Sequence, residues 1–98
     1  MRLKYFSHSA FQITTDAGKR ILIDPFLDGN PTSPVKSKDV DADFIILTHG
    51  HGDHIGDSFS IAERCGSLFI CCNELANYCS SKGFKAHNMH ICGSHNFE

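Results

Sequence analysis

The sequence predicts an α/β (α+β) domain in which a mixed β-sheet carries helices on one face. Two observations predict it. Short apolar, β-branched runs separated by turn residues fill the first part of the chain, and similar runs alternate with helical patterns in the second part. At 98 residues the chain is long enough for one domain, 1–98, and short for two.

The N-terminal part is typical of a β-meander. "RLKYF" and "AFQITT" predict two short strands, and the turn residues Asp16-Ala17-Gly18 lead into a third, "RILID". The segment 25–43 follows and contains all three prolines, so it predicts a long surface loop with one helical turn near Ser37 to Val40.

The next strand is predicted at "DFIILT", a short apolar run typical of a strand buried on both faces. Apolar residues then recur at helical spacing, which predicts one helix from about Asp53 to Cys65, with Gly66 as its C-cap.

Another strand is predicted at "SLFICC", where Cys71 and Cys72 are expected as small core or near-core residues. Asn73 is the expected N-cap of a helix over "ELANYCSSK" that Gly83 closes. The final "FKAHNMHICGSHNFE" predicts one short strand and a turn leading into another.

Composition argues against several classes of partner. The formal net charge is -2 and no stripe of Lys or Arg occurs, which disfavours nucleic acid. No segment approaches the roughly 20 apolar residues needed to cross a membrane, and no secretory signal is recognisable, so we expect a cytoplasmic protein. The odd number of cysteines, five, cannot all pair within one chain, and a reducing compartment would keep them as thiols.

The stretch "THGHGDHIGD", residues 48–57, contains His49, His51, Asp53 and His54, which we call the His/Asp cluster. It lies between a predicted buried strand and a predicted helix, so its side chains can face one cavity, and Gly50 and Gly52 are expected to allow the tight path. Imidazole and carboxylate together suit Zn²⁺, and Mn²⁺ or Fe²⁺ where more oxygen ligands are present. The cluster therefore predicts a divalent metal site.

Other acids and histidines are open to two interpretations. His8, near a strand end, either lies beside the cluster or has no part in it. Asp24 ends a buried strand, where it either hydrogen-bonds a metal-ligating imidazole or caps the turn before Pro25. Outside the cluster, surface or turn positions are expected for His87, His90 and His95.

The cluster resembles the His-x-His-x-Asp-His signature of the metallo-β-lactamase superfamily. The flanking "HSAF", "ILIDPFLDGNP" and "NELANY" resemble a branch of poorly characterised metal-dependent hydrolases close to the L-ascorbate-6-phosphate lactonases. The resemblance covers nearly the whole chain. It implies an αββα sandwich built from two similar halves, with a dinuclear centre at the sheet edges.

The resemblance also implies a role for each site residue. His49 and His51 would bind a first metal, Asp53 and His54 a second, Asp24 would be the supporting acid and His8 would lie near the metals. Family members are more than twice this length, and the remaining ligands come from their second half, so the resemblance implies a single, truncated metallo-β-lactamase-like domain, the N-terminal half.

The implied function is a metal-dependent hydrolase that uses a metal-activated hydroxide, positioned by Asp53, on a small-molecule ester, lactone or phosphoester. Two alternatives stay open. One is a metal-binding or self-associating module without catalysis, a homo-oligomer that pairs sheet to sheet. The other is a structural remnant with no site.

Overall fold

Six strands form one mixed sheet in a computed structural model that describes residues 1–89 and 93–97. The strands are β1 (Arg2–Tyr5), β2 (Phe11–Thr14), β3 (Arg20–Ile23), β4 (Phe44–Ile46), β5 (Leu68–Cys71) and β6 (Ala86–Asn88). The α-helices are α1 (Gly52–Ile55), α2 (Ser58–Cys65) and α3 (Asn73–Ser81), and one 3-10 turn covers Ser37–Asp39. Among the described residues, no helix combines the length and apolarity that crossing a membrane requires.

The strands lie side by side in chain order. β1, β2 and β3 pair antiparallel, which confirms the predicted meander. β4, β5 and β6 each join parallel to the preceding strand. Segment 25–43 makes the crossover from β3 to β4, and α2 and α3 lie in the crossovers from β4 to β5 and from β5 to β6. The predicted mixed sheet is therefore confirmed.

One face of the sheet is covered by the helices, as predicted. A row of cross-strand neighbours, Gln12, Leu22, Ile45 and Phe69, is buried on this face. The core that contains the three apolar members of this row also contains side chains from α2 and α3: Ile61, Ala62, Leu75, Ala76 and Cys79. Burial of these apolar side chains is the main force that holds the helices on the sheet.

The opposite face is apolar and only partly covered, and we call it the open face. Ten apolar side chains form two cross-strand rows on it, and every one of them is half-buried or exposed: Leu3, Ile13, Ile21, Phe44 and Leu68, and Tyr5, Phe11, Ile23, Ile46 and Ile70. Part of the face is covered by segment 93–97, where the Phe97 ring lies 5.8 Å from that of Phe44. The prediction that β4 is buried on both faces is therefore wrong.

The predicted helix over 53–65 is split in two by Gly56, whose φ of 47° and ψ of -120° end α1. A Cβ at this position would lie 2.5 Å from the Cα of Phe26, so only glycine lets the two backbones approach. Gly66 ends α2 in the left-handed conformation, as predicted. Cys72, rather than Asn73, occupies the N-cap position of α3, and Gly83 follows that helix.

The loop before β4 is more buried than expected. Its 3-10 turn lies where a helical turn was predicted. Leu27, Asn30, Val40 and Ala42 are nevertheless buried, so the loop contributes to the core. Arg64 of α2 holds the loop by donating hydrogen bonds to backbone carbonyl groups of residues 37 and 40 and by pairing with the carboxylate of Asp41.

The end of the chain matches the prediction in part. β6 is the expected short strand, but 93–97 do not form the second one. His90 lies outside the described residues, so its expected position stays a prediction. His87 is half-buried on β6, with its ring 4.3 Å from that of exposed His95, so the expected surface position holds for His95 and only in part for His87.

Candidate metal centre

The predicted site residues converge at one edge of the sheet. Asp24 follows β3, the His/Asp cluster follows β4, and His8 lies in the connection between β1 and β2. The register places the end of β1, the start of β2 and the ends of β3 and β4 in line, through Tyr5, Phe11, Ile23 and Ile46. Residues distant in sequence therefore meet because the strands stop together.

His49 and His51 direct one ring nitrogen each at the same point. The chain bends after β4. His49 Nε2 and His51 Nδ1 are 3.0 Å apart, and the centroids of their rings are 4.6 Å apart. Two nitrogens bound to one tetrahedral zinc at about 2.0–2.1 Å lie about 3.3 Å from each other. The pair therefore fits a shared metal ion.

Asp53 and His54 meet His8 in a second group. His8 Nε2 lies 3.2 Å from Asp53 Oδ2, and His54 Nε2 lies 3.8 Å from Asp53 Oδ1. One ligand atom from each residue can be chosen so that all three lie within 4.8 Å of one another. The His49 and His54 rings are 4.0 Å apart, so the two groups adjoin. This arrangement suits a second ion, with His8 added to the predicted pair.

Asp24 lies buried behind the two groups and hydrogen-bonds Thr48 and His54. Its residue is 1% exposed, and its carboxylate accepts hydrogen bonds from His54 Nδ1 at 2.9 Å, the Thr48 backbone N–H at 2.9 Å and the Thr48 hydroxyl at 2.6 Å. The turn before Phe26 is closed by the Asp24 carbonyl instead, so the carboxylate does not cap that turn. Of the two interpretations, the geometry supports the hydrogen bond to an imidazole.

Thr48 is a residue that the sequence reasoning missed. Besides donating to Asp24, its Oγ1 lies 2.9 Å from His49 Nδ1. In the sequence, Thr48 could have been noticed because it directly precedes His49 and ends the predicted strand "DFIILT". That signal is weak, because exposed hydroxyl residues at strand ends are common.

The backbone around the centre is strained. In the part of the chain that the structure describes, three non-glycine residues have a positive φ, and all of them lie here: Ser7 at 79°, His8 at 56° and Asp24 at 44°. Such conformations persist only where neighbouring contacts hold them. The Tyr5 hydroxyl donates to the His8 carbonyl at 2.8 Å, and Asp24 N–H donates to Ile46 O at 3.0 Å.

The tight path of the chain depends on a different glycine from those expected. Gly50 and Gly52 have no positive φ, and a Cβ on either would meet nothing within 4 Å, so that expectation is wrong. Gly56 allows the close approach. Asp57 then fixes it, because its carboxylate accepts the N–H groups of Leu27 and Asp28 at 3.0 and 2.8 Å.

The cysteines differ in burial. Cys71 and Cys79 are buried and Cys72 is exposed, so the expected core position holds for Cys71 and is wrong for Cys72. Burial, and to a lesser degree the neighbouring thiols, raise the pKa of the Cys71 thiol to about 12. Burial also raises the pKa of the Cys79 thiol.

Several known proteins have a sequence similar to that of this chain. Residues 2–91 match the family described as the beta-lactamase superfamily domain. A metal-dependent hydrolase of Anoxybacillus flavithermus is 50% identical over the whole chain, and one of Bacillus cereus is 48% identical. The chain covers 43% of each of these two relatives.

A solved structure shows the same arrangement of the backbone. The metallo hydrolase Igni18 of the archaeon Ignicoccus hospitalis is 36% identical and superimposes with a TM-score of 0.88. The alignment covers 97% of this chain and 42% of Igni18. The resemblance inferred from the motifs is thereby confirmed, and the chain belongs to the beta-lactamase superfamily domain family.

Proposed function

We propose that this chain supplies the N-terminal share of the metal centre of a hydrolase that acts on an ester, lactone or phosphoester. The observation that carries the proposal is the convergence of His49 Nε2 and His51 Nδ1 to 3.0 Å beside the His8, Asp53 and His54 group. The named relatives are metal-dependent hydrolases, which agrees with it.

The donor set fits a divalent cation. His49 and His51 would hold one ion through imidazole nitrogen, and Asp53, His54 and His8 a second. Together the two groups offer four imidazoles and one carboxylate. This donor set favours Zn²⁺, with Mn²⁺ or Fe²⁺ as alternatives. A bound divalent ion would lower the pKa of water toward neutrality and polarise the scissile carbonyl or phosphoryl group.

The protein's own groups would orient the reactants. Asp53 is half exposed, and one of its oxygens contacts His8, so the carboxylate is held at the mouth of the centre. From there it can accept a hydrogen bond from the attacking water. A cleft of about 710 Å³ opens beside Thr48 and is lined mainly by side chains from the ends of β4 and β5, including Ile46, Ile70 and Cys72. This cleft is large enough for a small-molecule substrate.

The chain spans about 43% of the length of the curated relatives it matches. We infer that residues outside this stretch complete both coordination spheres, as the resemblance implies. The 98-residue chain should therefore bind metal more weakly than a complete centre and turn over slowly.

A metal titration tests the centre. Calorimetric titration of Zn²⁺ and Mn²⁺ into the metal-free 98-residue chain should give saturable binding that His49→Ala/His51→Ala greatly weakens. His87→Ala is the matched control, since its ring packs on His95 and Phe97 and should leave this binding unchanged. Equal binding by the wild type and the double variant would refute the proposed site.

A substrate comparison tests the chemistry. The metal-loaded chain should hydrolyse at least one of an aryl ester, a lactone and a phosphodiester, and Asp53→Asn should lower the rate about 100-fold or more. Hydrolysis that survives both Asp53→Asn and His49→Ala/His51→Ala would show that the rate comes from elsewhere.

A second candidate function is a metal-binding module that self-associates, and the open face is the observation that favours it. Its two rows contain no charged side chain, so a second copy could pair with it face to face without burying a charge. Six strands about 4.8 Å apart give a face roughly 25–30 Å wide, as in sheets that pack in sandwiches.

Light scattering tests this candidate. A dimer at micromolar concentration that Ile21→Glu abolishes, while the control Glu63→Lys on exposed α2 surface does not, would support self-association. A monomer at all concentrations would exclude it.

We also propose a reducing compartment, the cytoplasm. Cys65, Cys71, Cys72 and Cys79 are all unpaired, which supports it. Protein purified from cells under acid quench should titrate with all of these thiols free, whereas a disulfide among them would contradict the assignment.

A further inference from the structure

We propose that Thr48 is a positioning residue whose hydroxyl fixes the tautomer of His49, so that the buried carboxylate of Asp24 orients two imidazoles, one in the connection after β4 and one on α1. The inference rests on the proposed function, because the direction of a ring lone pair matters most where the ring is to bind a metal ion.

Asp24 decides the direction of the hydrogen bond with Thr48. A carboxylate only accepts hydrogen bonds. One oxygen, Oδ1, accepts the backbone N–H of Thr48 at 2.9 Å, and the other, Oδ2, lies 2.6 Å from the Thr48 hydroxyl. Asp24 is 1% exposed, so water does not compete for these contacts. The Thr48 hydroxyl must therefore donate its proton to Asp24.

A threonine hydroxyl has one proton and two lone pairs. Because that proton points to Asp24, the side of Oγ1 that faces His49 Nδ1 at 2.9 Å can only accept. His49 must then carry its proton on Nδ1, and its Nε2 is left with a lone pair. This is the nitrogen that lies 3.0 Å from His51 Nδ1, at the point where a metal ion would bind.

The same carboxylate acts directly on His54. His54 Nδ1 donates to Asp24 Oδ2 at 2.9 Å, which leaves a lone pair on the Nε2 that faces Asp53. The His49 and His54 rings are 4.0 Å apart. Asp24 therefore directs the Nε2 lone pairs of two adjoining rings, one by direct contact and one through Thr48.

The test is the tautomer itself, read by nitrogen-15 NMR of the imidazole rings in the metal-free full chain, at a pH where the rings are neutral. The wild type should show His49 protonated on Nδ1. Thr48→Val replaces the hydroxyl with a methyl group of the same shape, so the Nε2-protonated form of His49 should become populated while His54 keeps its tautomer. Thr48→Ser retains the hydroxyl and should restore the wild-type spectrum.

Zinc affinity provides the second readout. Thr48→Val should weaken binding about 10- to 100-fold, the usual cost of losing a group that orients a ligand, and Thr48→Ser should recover most of it. A wild-type His49 protonated on Nε2 would overturn the inference even if the valine variant fails to fold. An unchanged tautomer in a folded valine variant would overturn it as well.

The two proposals can fail separately. If the tautomer of His49 changes as expected but no variant, wild type included, binds zinc, the metal centre is wrong and the role of Thr48 stands. If zinc binds and His49→Ala/His51→Ala removes it, while Thr48→Val changes neither tautomer nor affinity, the centre stands and the role of Thr48 is wrong.

Discussion

Asp24 is the residue whose carboxylate orients the side chains of Thr48 and His54 in the proposed centre. Asp24 is buried and its backbone has a positive φ. Its carboxylate accepts hydrogen bonds from the backbone N–H and the hydroxyl of Thr48 and from His54 Nδ1. Its place at the end of a buried strand was visible in the sequence. The relay through Thr48 was not, because it depends on three side chains meeting in space.

Asp24→Asn should destabilise the fold. The amide nitrogen must face either the backbone N–H of Thr48 or the Thr48 hydroxyl and His54 Nδ1, so the three present hydrogen bonds cannot all be kept. We expect a loss of about 1–3 kcal/mol in the free energy of unfolding, measured by urea denaturation. Asp53→Asn is the control, since Asp53 is half exposed, and it should change stability little. Equal stability of Asp24→Asn and the wild type would contradict the structural role.

The cysteines give a residue-level prediction with a clear dependence on pH. Burial raises the pKa of Cys71 from its ordinary value of 9.0 to about 12, so the thiol form is favoured in the folded chain. The stabilisation that results is complete below pH 9 and is lost as pH rises toward 12. At pH 8, iodoacetamide should modify exposed Cys72 far faster than Cys71.

Peptide mapping by mass spectrometry measures the two rates separately. In urea the difference should disappear, because unfolding exposes both thiols to the reagent. Comparable labelling of Cys71 and Cys72 in the folded chain would show that the environment of β5 has been described wrongly.

The histidines show how far residue-level reasoning from sequence reaches. Spacing alone grouped His49, His51, Asp53 and His54, and the structure does bring them together. The position of His8 stayed open because it depends on the register that brings the connection between β1 and β2 beside the end of β4, and the sequence does not give that register.

Among the elements, the break between α1 and α2 is the feature that sequence reasoning missed. Apolar residues recur at helical spacing through 55–65, so the pattern itself gives no reason to stop. The reason lies in tertiary contact, because Gly56 must let the backbone of Pro25 and Phe26 pass, and Asp57 then accepts hydrogen bonds from that loop. The strands were easier to predict, since turn residues bounded each run.

Gly56→Ala should therefore unfold or severely destabilise the protein. The added Cβ would meet backbone atoms of Phe26 that cannot move aside, at a φ of 47°. Strain and clash together should cost about 3 kcal/mol or more. Gly50→Ala is the matched control, because its Cβ would meet nothing within 4 Å, and it should change stability by about 1 kcal/mol or less. Comparable unfolding midpoints in urea would disprove the close approach.

For the whole molecule, the order of strands and helices and the face that the helices cover were predictable, and the partial covering of the second face was not. Turn chemistry predicted the meander, and alternating strands and helices predicted the parallel part. Whether the second face of the sheet is closed depends on what packs against it, and β4 looked buried on both sides because its residues are all apolar. Segment 93–97 covers part of that face, and its apolar rows otherwise remain half-buried or exposed.

The most direct measurement of the central claim is zinc K-edge X-ray absorption of the 98-residue chain loaded with one equivalent of Zn²⁺. The account predicts nitrogen and oxygen ligands at about 2.0–2.1 Å with the scattering of at least two imidazoles, and the loss of that imidazole signal when His8, His49, His51 and His54 are all replaced by alanine. A sulfur shell at about 2.3 Å would place the ion on a cysteine instead. That result, or an imidazole signal that is unchanged in the variant with all four histidines replaced, would contradict the proposed centre.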